Sequence, residues 1–218
     1  MLLNLLSHPV SFVFYLIAVF VAITVHEFAH AITADRLGAP TPSLQGRVSL
    51  HPVKHIDLYG LIFLFLTGFG WGRPVQFDPY NLHNPRKDAA IISIAGPVSN
   101  FILAIISSIA LRLAFSIPAL SPISSAIALI CVPMIVLNVS LGIFNLIPVH
   151  PLDGFKIVGG LLPDEQADEW YSLERYGFII LILLILPIIG GQSMIGTFIR
   201  PITNFVISFL MAQPSGMM

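Results

Sequence analysis

The stretch VSFVFYLIAVFVAITVHEFAH, residues 10–30, decides the fold: a predominantly apolar run from Val10 to Val25 closes on His26-Glu27-Phe28-Ala29-His30. Its length and composition predict a membrane-spanning helix, yet three ionisable groups sit in its last turns. At 3.6 residues per turn, His26 and His30 fall about one turn apart on one face, so their imidazoles can converge on a single metal. Glu27 points beside them, placed to handle a water at that metal. A charged side chain at the centre of a membrane helix costs roughly 2.5–3.5 kcal/mol on insertion scales, which makes these residues functional candidates by default. A chance His-Glu-x-x-His in a chain of this length is about a one-in-a-hundred event, so a third ligand is needed to decide.

Composition sets the class. The 218 residues are 56% hydrophobic and only 10% charged, with a mean hydropathy of +0.90, whereas soluble chains carry about a quarter charged residues. This predicts an α-helical, polytopic integral membrane protein. A formal net charge of -1 without a basic stripe argues against nucleic-acid binding. The single Cys131 lies in an apolar run, where it serves as a packing residue and not as a nucleophile. The start, Met1-Leu2-Leu3-Asn4, lacks a basic region and a small-residue cleavage site, so a removable signal peptide is not expected. No linker or repeat interrupts the chain, and residues 1–218 are expected to form one domain.

Working outward from the pentapeptide, the first segment should stop at Gly38-Ala39-Pro40, a Gly-then-Pro helix terminator. In Leu44-Gln45-Gly46-Arg47-Val48-Ser49-Leu50, apolar residues alternate, predicting a short half-buried strand or hairpin at the membrane whose edge could hold substrate extended. Leu58–Phe69 is too short for an untilted crossing, which needs about 20 residues, and suggests a re-entrant or tilted element. Ala89–Leu111 spans, and includes Ala95-Gly96-Pro97-Val98-Ser99-Asn100, where Gly and Pro allow close approach and free a carbonyl. The fourth segment, Ile123 to about Ile147, breaks at Pro148-Val149-His150-Pro151-Leu152-Asp153-Gly154. Pro163–Arg175, with five acids and one Arg, reads as a solvated loop or short surface helix. Tyr176–Ile189 and Met194–Met211, the latter kinked at Arg200-Pro201, complete five or six membrane segments. Basic residues on both sides of Leu58–Phe69 give opposite votes on orientation if that segment crosses.

Catalytic zinc takes three protein ligands from His and carboxylate and keeps a fourth position for water. Asp153 is the best third ligand, because a charge in a proline-broken helix end at membrane depth needs solvent or a cation. Asp35 and Asp57 sit at segment ends, where solvation explains them more simply.

Together, His26-Glu27-Phe28-Ala29-His30, Ala95-Gly96-Pro97 with Asn100, and Asn145-x-x-Pro148-x-x-Pro151-Leu152-Asp153-Gly154 resemble the site-2 protease family of intramembrane metalloproteases. Gly70-Trp71-Gly72-Arg73-Pro74-Val75 and His51-Pro52-Val53-Lys54-His55-Ile56-Asp57 resemble it too, so the likeness runs from about residue 20 to 160. The resemblance implies one Zn2+ per chain held by His26, His30 and Asp153, with Glu27 as general base. It implies hydrolysis of a peptide bond in or near the transmembrane segment of a membrane-protein substrate, commonly releasing a signalling fragment. It gives Asn145 a role in substrate binding or oxyanion stabilisation, which its amide donors suit, beside the alternative of a cap or interhelical hydrogen bond. The chain looks like a minimal core member, without a peptide-binding PDZ insert or a nucleotide-sensing CBS tail, in the cell membrane.

Some positions depart from the family pattern: His51 stands where Asn is common, His150 where Pro or a small polar residue is, and Phe155-Lys156 where Gly-Arg is. None touches a ligand or the base. His51 and His150 are better explained by hydrogen bonding near the surface than by metal ligation. Two rival classes compete. His26-x-x-x-His30 and His51-x-x-x-His55 could be boxes of a membrane metal-dependent oxygenase or hydroxylase, for which seven histidines are few. Alternatively, a non-catalytic metal-binding or transport protein would use Glu27 without proton transfer.

Overall fold

The computed structural model describes residues 8–67, 70–186 and 193–211. The start of the chain at Met1–Asn4, the end of the Leu58–Phe69 run, and Gly190-Gly191 with the last residues of the run leading into it lie outside the described residues. The fold is helical: α1 Pro9–Arg36, α2 Leu58–Thr67, α3 Pro85–Ser116, α4 Ser124–Asn145, α5 Asp153–Leu161, α6 Asp164–Ser172, α7 Glu174–Ile185 and α8 Met194–Met211. Three stretches are long and apolar enough to cross a membrane: Pro9–Arg36, Pro85–Ser116, and Pro118–Asn145, in which a 3₁₀ turn leads into α4. At 1.5 Å per residue, the 28 residues of α1 reach about 42 Å, enough for a hydrocarbon core of about 30 Å.

The central helix is α3, packed against α1, α4 and α5. Small residues permit this: Ala18, Ala22, Ala31, Ala34 and Ala104 are all buried, and they let backbones approach without bulky side chains between them. One core, Ala104, Ile135, Val139 and Ile143, joins α3 and α4 and is covered by Ile199, Val206 and Ile207 of α8. A second, Ala34, Ala39, Leu82 and Ile92, lies where α1 ends. There the Leu37 and Ala39 N–H groups bond back to Ala34, and the chain turns at Gly38 as its Gly-Ala-Pro sequence predicts.

The strand expected over Leu44–Leu50 does not form. Pro42 opens a helical turn, Thr41–Leu44, and Gly46 then takes φ +64°, a left-handed conformation that breaks an extended run. The alternation misled because Leu44 and Leu50 are exposed, while the buried side chain of this stretch is Arg47. Among the described residues, the one isolated β-bridge lies elsewhere, antiparallel between Ile56 and Gly72.

That bridge explains α2. The Arg73 N–H donates to the His55 carbonyl at 2.7 Å, so the segment that leaves at Ile56 returns at Gly72 beside it. The ten-residue α2 lies between these paired positions. His55 supports the stem: it is fully buried, and its ring meets the Ser49 carbonyl at 2.6 Å. Burial pushes its pKa below the ordinary value, which keeps the ring neutral.

The polar Pro163–Arg175 stretch forms the surface helix α6. Its Trp170 indole donates to the Phe155 carbonyl and stacks on the Phe155 ring, so the departure at Phe155 is accommodated by a partner in α6.

Candidate metal centre

His26 and His30 share the buried face of α1, and Asp153 opens α5 directly after the proline-broken end of α4. At Gly154, a Cβ would fall 2.4 Å from the Leu146 carbonyl oxygen, so glycine lets α5 start tight against that break and carry Asp153 inward. The result joins residues more than 120 positions apart. His26 Nε2 lies 3.0 Å from His30 Nε2, and Asp153 Oδ2 lies 3.2 Å and 3.3 Å from these two nitrogens. Among the described residues, this is the cluster of three ligand-type side chains that could hold a metal ion.

Proton inventory shows what the cluster lacks. His26 Nδ1 sits 2.6 Å from Asn100 Oδ1, whose amide nitrogen is committed to donating to Asn138 Oδ1 and the Ala22 carbonyl. His26 must therefore donate from Nδ1. His30 Nδ1 likewise faces the Ile92 carbonyl at 2.7 Å and must donate to it. In neutral rings this leaves both Nε2 atoms as bare lone pairs, pointed at each other and at a carboxylate oxygen. Asp153 Oδ2 is itself buried without a hydrogen-bond donor. Three converging acceptors with no proton between them repel unless a cation sits among them. Tetrahedral zinc, with bonds of about 2.0–2.1 Å, spaces its ligand atoms about 3.3 Å apart, so the donor set fits that ion.

The Ala95-Gly96-Pro97 motif supplies clearance. A Cβ on Gly96 would lie 2.4 Å from His30 Nε2 and 2.7 Å from His26 Cε1. Gly96→Ala is therefore expected to push both imidazoles off the metal and weaken zinc binding by about 100-fold or more, since even indirect disturbance of a ligand costs 10–100-fold. Zinc content after dialysis against a metal buffer checks this, and full retention would refute it. Pro97 withholds a donor from the Ser93 carbonyl, but the carbonyl that meets His30 is that of Ile92, one residue earlier.

Glu27 is buried beside the cluster. Its Oε2 accepts from the Val75 N–H at 3.1 Å and lies 3.5 Å from the Arg47 guanidinium, while Oε1 lies toward Gly72, where a Cβ would fall 3.3 Å from it. Burial lowers the Arg47 pKa, and the Glu27 charge opposes that shift. Asn145 stands apart: its amide donates to the Leu141 carbonyl of its own helix. His51 is exposed, and His150 lies 3.5 Å from Glu174. Neither joins the cluster. The sequence alone missed two groups, Asn138 and Arg47; the single sign of the first was a polar residue inside an apolar helix.

The model of peptidase family M50 matches residues 14–129 and 115–185, an extent that includes all three ligand candidates and Glu27. The chain belongs to peptidase family M50. YwhC of Bacillus subtilis (strain 168), provisionally named a zinc metalloprotease, is 39% identical over 189 residues, 85% of this chain and 86% of its own. Rip2 proteins, named in the same way, are similar as well. That of Mycolicibacterium smegmatis is 29% identical over 83% of this chain and 70% of its own. That of Mycobacterium tuberculosis (strain H37Rv) is 27% identical over 85% and 72%. No solved structure matches the chain.

Proposed function

We propose that this M50 peptidase is an intramembrane zinc metalloprotease in which His26, His30 and Asp153 hold one Zn2+, Glu27 is the general base, and a peptide bond of a membrane-protein substrate is hydrolysed. The observation that carries this is the buried convergence of two Nε2 lone pairs and the donor-free Asp153 Oδ2 within 3.0–3.3 Å. Zinc at such a site supplies Lewis acidity to water and to the scissile carbonyl. Glu27, held through Oε2, accepts a proton from the attacking water at Oε1 and delivers one to the leaving amine. Asn100 and Ile92 keep both imidazoles in the Nδ1–H form throughout. Asn145 can turn its amide from Leu141 toward substrate or the oxyanion.

A cavity of about 600 Å³ between α1, α2, α4 and α8, lined by Ile23, Leu64, Gly72, Leu141 and Phe144 among others, offers an apolar route to the Glu27 neighbourhood. A hydrophobic substrate segment suits it, and release of a fragment from such a substrate would make the reaction a form of regulated proteolysis. The whole chain then acts as one domain. We place α1, α3 and α4 as crossing and α2 as re-entering, with α7 and α8 completing five or six membrane segments, in a multi-pass protein of the cell membrane. Because the hairpin returns to its side of entry, Arg36, Arg47, Lys54, Arg73, Arg86 and Lys87 share one face, while Arg112 stands near the opposite end of α3 beside the α8 terminus. The positive-inside rule makes the first face, and the metal centre near it, cytoplasmic.

Metal removal tests the reaction. In detergent or liposomes with a reporter carrying a transmembrane segment, stripping by chelator is expected to stop cleavage and stoichiometric zinc to restore it. Cleavage that survives complete stripping would refute a zinc peptidase, and activity restored by iron with dependence on oxygen would favour the oxygenase class.

A further inference from the structure

Arg47 lies in the loop that sequence periodicity misread, and it belongs to none of the motifs used above. It is only 4% exposed. Its Nη1 donates to the Lys54 carbonyl and its Nη2 to the Arg73 carbonyl, and Nη2 also lies 3.5 Å from Glu27 Oε2. Lys54 and Arg73 belong to the two arms of the hairpin, which pair at Ile56 and Gly72. One planar fork therefore ties both arms of the hairpin to the carboxylate on α1. The Val75 N–H, further along the returning arm, bonds the same Oε2.

Closing a hairpin does not require a buried guanidinium, whose desolvation costs several kcal/mol. The acceptors around it, one carbonyl from each arm and Glu27 Oε2 from α1, have in common only this one guanidinium. Arg presents donors in a rigid fork that a lysine ammonium cannot reproduce. We propose that Arg47 is a positioning residue for the hydrolysis: it anchors Glu27 Oε2 and the hairpin arms in one geometry, leaving Oε1 as the oxygen that meets water. This rests on Glu27 being the general base.

The test uses the full chain in micelles with Arg47→Met and Arg47→Lys, measuring zinc content, kcat and KM for the transmembrane reporter. Arg47→Met is expected to keep one zinc per chain while kcat falls about 100-fold, the cost of misplacing a reacting group by about 1 Å. KM should move by less than about threefold, because the lost interaction matters in the transition state and not in substrate binding. Arg47→Lys should fall between, recovering the charge but not the fork. In the zinc-free protein, Arg47→Met should also speed amide exchange at Val75. Unchanged kcat in Arg47→Met overturns the proposal, as does a loss that falls on KM or follows zinc content. If Arg47→Met does not accumulate folded, Arg47→Lys decides: full kcat overturns the proposal, and reduced kcat with zinc and KM retained supports it. Full activity in Glu27→Gln is a separate result that removes the base assignment itself.

Discussion

Glu27→Gln leaves zinc bound at one per chain and lowers cleavage of a membrane reporter by about 10²–10⁴-fold, the range general acid–base groups contribute. The expectation follows from where Glu27 stands. It is not one of the three converging ligands, so the amide leaves His26, His30 and Asp153 as they are. Gln matches the volume, and its carbonyl oxygen can still accept the Val75 N–H that now bonds Oε2. What disappears is the capacity to take a proton and the ion pair with Arg47. Metal analysis and turnover measured on the same preparation separate the two properties. A mutant that cleaves at the wild-type rate would sink the assignment, and one that loses its zinc would make Glu27 part of the metal centre.

Asp153→Asn should fail differently, losing the metal first. A neutral amide in place of the buried Oδ2 removes the one charged ligand candidate of the cluster. Zinc affinity is expected to fall by more than about 100-fold, beyond the 10–100-fold typical of outer-sphere changes. Cleavage should be absent in zinc-buffered medium and recover in part at excess zinc. The pattern to compare is Glu27→Gln: one variant inactive with metal, the other inactive for want of it. If Asp153→Asn titrates with zinc like the wild type, the third ligand lies elsewhere, and Asp57 or Asp35 must be reconsidered.

The parts of this molecule that were legible in the sequence are those where local rules suffice. His26, Glu27 and His30 are related by helix periodicity, Gly38-Ala39-Pro40 by helix-stop chemistry, and Asp153 by the anomaly of a charge at a proline break. All three signals survive folding because tertiary packing reinforces them. The Leu44–Leu50 stretch was not legible, because its conformation answers to partners far along the chain. Arg47 is drawn inward by carbonyls at Lys54 and Arg73 and by Glu27, and no pattern of period two registers those contacts. For the same reason Asn138 escaped notice: its role is to fix the Asn100 amide that fixes His26, two steps removed from any motif. The shortness of Leu58–Phe69 set it apart from the long crossings, whereas the Ile56–Gly72 pairing that brings its flanks together leaves no local pattern in the sequence.

The convergence of His26, His30 and Asp153 bears on the stability of the protein as well as on its reaction. Two Nε2 atoms and a carboxylate oxygen bring α1 against the start of α5, and a metal ion held among them would bridge the two elements. Whatever binds the native state and not the unfolded one adds stability by mass action, about 2.7 kcal/mol at a free concentration 100 times Kd. Zinc-depleted protein is therefore expected to unfold at a lower temperature than zinc-loaded protein, which thermal denaturation at buffered zinc concentrations checks.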